Sequence, residues 1–119
     1  RVKDYTWANN DQLWWSAERV GARMEVALPV EKDGVYRLIG TFAKAPNYGI
    51  VQFYFDGKKI GEPVDFYNEV IMHTGPIPLG THELKAGEHV FMLEMVGRNA
   101  KVRMDYLVGL DELKIELEE

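Results

Sequence analysis

Residues 35–57 read VYRLIGTFAKAPNYGIVQFYFDG, and this stretch decides the fold. In its first arm Tyr36, Leu38 and Phe42 share one parity and Arg37 and Thr41 take the other; in its second, Val51, Phe53 and Phe55 oppose Gln52 and Tyr54. Strand side chains alternate between faces, so each arm has one side for a core. The link Ala45-Pro46-Asn47-Tyr48-Gly49 combines a residue without a backbone donor and one that permits a positive φ, and Asp56-Gly57 closes the second arm as a turn. The pattern predicts a central β-hairpin that holds a loop.

Upstream, Met24, Val26, Leu28 and Val30 run in phase against Arg23, Glu25 and Ala27, the cleanest strand of the chain, and Glu31-Lys32-Asp33-Gly34 turns it into residue 35. Before it, Leu13, Trp15 and Ala17 alternate with Gln12, Trp14, Ser16 and Glu18, which sends Trp15 to the core and leaves Trp14 on the polar face. The Asn-rich segment from Arg1 to Asp11 reads as an entry loop carrying Tyr5 and Trp7. Downstream, a short strand at Lys58 to Ile60 leads through Gly61 and Pro63 to Val64-Asp65-Phe66-Tyr67-Asn68, and the prolines assign this segment to an edge or a loop. The stretch from Asp65 to Pro78 is the longest irregular one, a length that often carries function. Leu79 to Leu84 predicts a strand and Lys85 to Glu88 a turn. His89 to Val96, apolar on both parities, predicts a central strand covered on both faces. Gly97 to Ala100 opens a loop, and Leu107 to Leu117 turns Leu113, Ile115 and Leu117 inward. Roughly eight short strands without helical periodicity predict an all-β, antiparallel, two-sheet sandwich.

A chain of 119 residues, 46% apolar and 12% aromatic, suits one domain with one core over residues 1–119. It has no run of about 18 apolar residues to span a bilayer and no charged-then-apolar leader, so a soluble domain without a membrane partner is expected, any targeting signal having gone. Cysteine is absent, which excludes a disulfide scaffold and a thiolate metal site. A net charge of −5 with singly scattered basic residues argues against nucleic acid as partner. The Glu-rich tail reads as a solvated end and a domain boundary.

The order Leu13-Trp14-Trp15, Gly34-Val35-Tyr36, Lys44-Ala45-Pro46-Asn47-Tyr48-Gly49, Phe55-Asp56-Gly57, Val64-Asp65-Phe66-Tyr67, Leu84-Lys85-Ala86-Gly87-Glu88-His89, Gly97-Arg98-Asn99 and Gly109-Leu110-Asp111 resembles jelly-roll domains appended to bacterial glycan-degrading proteins. The resemblance covers nearly the whole chain. Its frame, a strand ending in Gly-x-Tyr, an Asp-Gly turn and a last strand entered through Gly-x-Asp, looks like the galactose-binding-like β-sandwich of carbohydrate-binding modules. The resemblance implies an attached catalytic domain, an extracellular or periplasmic setting and a poly- or oligosaccharide ligand. Such modules often hold a structural calcium through carboxylates of an early and of the last strand. Asp111 matches the late position, whereas the early Glu-x-Glu is missing here; no other cofactor is expected.

No catalytic motif is present: Gly-x-Ser-x-Gly, His-Glu-x-x-His, Gly-rich phosphate loops and the EF-hand pattern are all absent. His73, His82 and His89 lie in different segments and read as structural residues rather than metal ligands. Sugar binding needs aromatic faces for the C–H patches of pyranose rings, with amides, carboxylates or guanidinium groups for the hydroxyls. Loop residues of those types are Asn47 with Tyr48, Tyr67 between Asp65 and Asn68, and Arg98 with Asn99, while Trp7 and Trp14 are the best platforms. For Tyr48 and Tyr67 the alternative is that they plug the ends of the sandwich with hydroxyls bonded to backbone; Trp15 and Tyr36 are read as core. Asp111 shares the parity of Leu113, so an inward carboxylate there needs Arg103, a backbone turn or a cation as partner. The expected function is non-catalytic carbohydrate binding that holds an associated enzyme near its polysaccharide. The alternatives are a docking or oligomerisation domain and, as a third, a contributor to a composite glycosidase site.

Overall fold

The computed structural model describes residues 4–17, 19–46, 48–97 and 106–118, with side chains described for 19–46, 48–97, 109–110 and 112–118. Alternating apolar residues draw the chain into eight strands: β1 (Asp4–Ala17), β2 (Arg23–Val30), β3 (Gly34–Lys44), β4 (Ile50–Phe55), β5 (Lys58–Asp65), β6 (Met72–Leu84), β7 (Gly87–Gly97) and β8 (Tyr106–Glu118). They form two four-stranded sheets, ordered β1-β8-β3-β6 and β2-β7-β4-β5, in which every paired strand is antiparallel. The all-β, two-layer prediction therefore holds. Between the layers lie the predicted inward residues of β2, β3, β4 and β8, among them Leu28, Leu38, Phe42, Val51, Phe53, Leu113 and Ile115. Phe42 stacks on Phe53 of the facing sheet with ring centroids 5.1 Å apart, and Phe53 stacks on Phe91 at 5.5 Å. One aromatic column thus ties the layers together.

The central hairpin does not form. β3 pairs with β6 and β8, whereas β4 pairs with β5 and β7, so residues 45–49 carry the chain from one sheet to the other. Backbone bonding explains the choice: Ala45 N–H donates to the Phe66 carbonyl and Phe66 N–H to the Gly49 carbonyl, which occupies the link with a second loop rather than with its own arms. Asp56-Gly57 is a true hairpin turn, with φ of 49° and 82°, the pair of positive values that a tight two-residue connection requires.

Three other boundaries differ from the prediction. The entry loop is largely strand, because Asp4 to Ala8 pair with Glu116 to Glu112, and only Asn9 to Gln12 step out of register as a bulge. The irregular stretch after Asp65 ends at Ile71: β6 begins at Met72 and accommodates Pro76 and Pro78 because it is the sheet's edge. β7 is central, as predicted, but among the described residues only one of its faces is fully buried. Phe91, Leu93 and Met95 are buried, while Val90, Met92 and Glu94 on the other parity are half-buried.

Strand direction sorts the connections into two ends. Residues 19–22, 45–46, 48–49 and 66–71 lie at one end, with Gly97 and Tyr106 at the adjoining strand tips; residues 31–33, 56–57 and 85–86 lie at the other. β1 enters and β8 leaves at that second, turn-built end.

Candidate functional site

The loop end brings together residues that the sequence places about twenty positions apart. Phe66 leaves β5, buries its ring against Phe42 at 5.1 Å and Phe53 at 6.1 Å, and spends its backbone N–H and carbonyl on Gly49 and Ala45. Asn68 N–H donates to the Ala45 carbonyl, and Tyr67 makes an isolated bridge to Ala45. The two loops are one unit, stitched by backbone and pinned by a core phenylalanine. Gly49 permits this closeness, since a Cβ there would lie 2.4 Å from Met95 Sδ and 3.1 Å from the Gly97 carbonyl.

On that unit Asp65 Oδ1 accepts the Tyr67 N–H at 2.9 Å, an Asx turn, and Asn68 Nδ2 donates to the Val70 carbonyl at 2.6 Å. Both polar candidates therefore shape the loop on which Tyr67 sits. Asp65, Tyr67 and Asn68 are each half-buried and lie close together in sequence. Tyr48 is different: at 5% exposure it is part of the core and offers no stacking face, so it plugs the end as the alternative had it. Tyr36 is likewise core, at 6%, with its hydroxyl donating to the Lys32 carbonyl. The backbone of Trp7 lies opposite Leu113 and that of Trp14 opposite Gly109. The side chains of Trp7, Trp14 and Trp15, and Asn47, Arg98 and Asn99, lie outside the described residues.

Sequence reasoning missed Val70, Ile71 and Met72, exposed by 66%, 77% and 42%, which form an apolar tip beside Tyr67. Three apolar residues inside a turn-rich segment were the available signal. Asp111 falls where β8 steps out of register with both neighbours: Ala8 pairs Glu112 and Leu13 pairs Leu110 on one side, Thr41 pairs Glu112 and Phe42 pairs Leu110 on the other. Its side chain lies outside the described residues, and among those described no three His, Asp or Glu side chains could share a metal ion. His82 Nε2 lies 3.0 Å from the Leu79 carbonyl, and His89 is held between Asp56 and the Lys85 carbonyl, both within structural networks.

No protein-family model matches the chain, and no curated protein matches it in sequence. Solved structures do match in shape. A Paenibacillus xanthan lyase aligns over 95% of this chain at 20% identity and a TM-score of 0.71; the chain spans 11% of that lyase. A family 35 carbohydrate-binding module from Clostridium thermocellum aligns over 95% of this chain and 97% of its own, at 14% identity and a TM-score of 0.58. The CBM36-1 domain of a multidomain xylanase from the hindgut metagenome of Trinervitermes trinervoides gives 97%, 96%, 11% and 0.56 for the same quantities. The chain has the β-sandwich fold of carbohydrate-binding modules, over essentially their full length.

Proposed function

We propose that this chain is a non-catalytic carbohydrate-binding module whose loop end, built on Tyr67, Asp65 and Asn68 with Trp14, Asn47, Arg98 and Asn99 as further contacts, holds an associated glycan-active enzyme near its polysaccharide; Trp7, near the start of β1 and opposite Leu113, stands away from that end. The observation that supports this is the stitched loop pair, which holds Tyr67, flanked in sequence by Asp65 and Asn68, at the end opposite to the entry of β1 and the exit of β8. A catalytic domain joined at either terminus would attach at the turn end and leave the loops facing outward. Such a site has one or two stacking rings and wet hydroxyl contacts, so its affinity is modest and gains from tethering to an enzyme. The reading includes secretion, with nucleic acid and membrane playing no part.

The test is a glycan array followed by calorimetry on the best ligand. Tyr67→Ala should lower affinity by at least tenfold, about 1.4 kcal/mol, and Trp14→Ala should abolish a ligand-induced shift in tryptophan emission. A chain that binds no glycan on the array would refute the proposal. The second reading, docking on a parent enzyme or a second copy, is favoured by the apolar tip of Val70, Ile71 and Met72. It predicts a dimer or complex in light scattering that Ile71→Asp dissolves. A structural calcium at Asp111, implied by the resemblance, would appear as a melting temperature that EDTA lowers and calcium restores.

A further inference from the structure

The two open sheets end in four edge strands, β1 and β6 in one and β2 and β5 in the other. An edge carries backbone groups that can template a further strand, and natural sheets blunt it with bulges, prolines and lysines. Three of these edges follow that rule. β1 breaks register between Ala8 and Leu13, and β6 breaks it twice and contains Pro76 and Pro78. β5 begins with Lys58-Lys59 and bulges between Ile60 and Val64, with Gly61 at φ 58° and Pro63 in the bulge. β2 is the exception: Arg23 to Val30 pair with Glu94 to Gly87 residue for residue, without a shift, and the strand holds no lysine.

The ladder shows which groups β2 turns outward. Gly21, at φ 94°, donates to the Met95 carbonyl at 2.7 Å and Met95 N–H donates to the Ala22 carbonyl at 2.9 Å, which makes Ala22 and Met95 a bonded pair at a glycine bulge. Antiparallel pairs alternate, so Met24, Val26, Leu28 and Val30 bond β7, while Arg23, Glu25, Ala27 and Pro29 turn their backbone to the edge. Pro29, with no N–H to offer, falls in that outward set. Among the described residues nothing accepts the N–H of Arg23, Glu25 or Ala27, and all three residues are exposed.

Charge selects what the edge fits. Two copies of β2 related by a two-fold axis at Met24 set Arg23 of each opposite Glu25 of the other, and each such pair exchanges two backbone bonds. On the inner side Met24 meets Met24 and Val26 meets Ala22; Met24 and Ala22 are partly buried hydrophobics packed on the core, so the contact extends the apolar layer. An axis at Glu25 brings two carboxylates face to face, and an axis at Val26 sets Arg23 opposite Pro29 with no charge pair. Arg23 meets Glu94 at 3.6 Å with its side chain 60% exposed, which leaves guanidinium donors to reach across the edge.

We propose that β2 is a self-association edge: a second copy of this chain adds its own β2 antiparallel, Arg23 opposite Glu25 and Glu25 opposite Arg23, and the sheets β2-β7-β4-β5 of the two copies become one continuous sheet. The overlap is short, so the dimer is a transient one that forms at high local concentration. It lies at the opposite edge of the sheet from β5 and the Val70-Ile71-Met72 tip that follows it. Antiparallel pairing points the two loop ends in opposite directions. A dimer then bridges two glycan chains, a consequence that rests on the carbohydrate reading, whereas the pairing itself does not.

The test is sedimentation equilibrium over a concentration series reaching the millimolar range, with amide hydrogen exchange followed by nuclear magnetic resonance on the same samples. The wild-type chain should self-associate, and the amides of Arg23 and Glu25 should exchange more slowly as concentration rises while that of Ala27 does not change. Arg23→Glu and Glu25→Arg should each weaken the dimer about tenfold, because two opposite-charge pairs become like-charge pairs. Mixing these two variants should restore a heterodimer, and Arg23→Glu/Glu25→Arg in one chain a homodimer, each within about threefold of wild type. A chain that stays monomeric overturns the proposal, and so does a dimer that ignores the charge changes. A dimer that Ile71→Asp dissolves instead overturns it in favour of the loop tip. Arg23 and Glu25 amides already protected in the monomer overturn it as well, since the edge is then covered within one chain. Both side chains are exposed, so neither change reaches the core, and the wild-type exchange data decide without any variant. None of these outcomes touches the glycan array, which judges the loop site separately.

Discussion

His89 sits between two acceptors. Its Nδ1 lies 2.5 Å from Asp56 Oδ2 and its Nε2 2.6 Å from the Lys85 carbonyl. A neutral imidazole has one N–H, so only the imidazolium serves both. Burial works against that charge, but the Lys85 carbonyl and the Asp56 carboxylate outweigh it and raise the pKa. The other charged groups there, Asp33 and Lys85, pair with each other at 3.6 Å, and His82 lies on the adjoining Phe55 ring. Because the folded pKa is the higher one, the contribution to stability is complete below the unfolded value of about 6.5 and is lost as pH rises through the folded value. His89→Gln should therefore cost about 1 kcal/mol at pH about 6 and progressively less toward pH about 8, the partly exposed Asp56 keeping the figure low. Thermal melts of both proteins across that range check it; a constant difference between them would contradict the imidazolium. None of this was legible in the sequence beyond the Asp-Gly turn, because the two partners are 33 residues apart and only strand register joins them.

Gln52 shows what alternation conceals within an element. It falls on the outward parity of β4 yet is 2% exposed, because β5 bulges between Ile60 and Val64 and the amide fills the gap, donating from Nε2 to the carbonyls of Phe53, Ile60 and Gly61 at 2.9–3.1 Å. Gln52→Leu leaves those carbonyls short of a donor and should cost about 1–2 kcal/mol, and Gln52→Glu more, since a carboxylate would face carbonyl oxygens. Urea denaturation measures both, and a neutral Gln52→Leu would show that water takes over the amide's role. The same limit explains the misplaced hairpin. Parity in residues 35–57 states which side of each arm is greasy, and that is equally true of two arms in one sheet and two arms in facing sheets. What decides is the meeting of Ala45, Gly49 and Phe66, a contact between loops that no periodicity encodes. Gly49→Ala probes it: with Met95 and the Gly97 carbonyl in the way, it should cost about 1–3 kcal/mol by overpacking and weaken glycan binding through the displaced 65–68 loop. Unchanged binding with lowered stability would detach the loop pair from the site.

At the scale of the molecule, the greasy parities were enough to give two layers, and β2 and the inward residues of β8 were legible to the residue. Tyr67, Asp65 and Asn68 were legible as a cluster because they are neighbours in sequence, while for Tyr48 the turn context left rim and core both open, and only the packing of the folded chain puts it in the core. The folded body is 45 × 25 × 21 Å, and its long axis matches strands of 11 to 13 residues at about 3.3 Å per residue, so the loop end and the turn end are far apart. Sites separated well beyond about 10 Å without shared partners act additively. His89 and Tyr67 meet that condition, and the phenylalanine column runs through the core between the two ends. The double variant His89→Gln/Tyr67→Ala should therefore lose the stability of the first change and the affinity of the second, each within about 0.5 kcal/mol of the single variants. Calorimetric melts and glycan titrations on all four proteins complete the cycle. A coupling above about 1 kcal/mol would mean that Phe42, Phe53 and Phe66 transmit between the ends, and that protonation at the turns tunes what the loops hold.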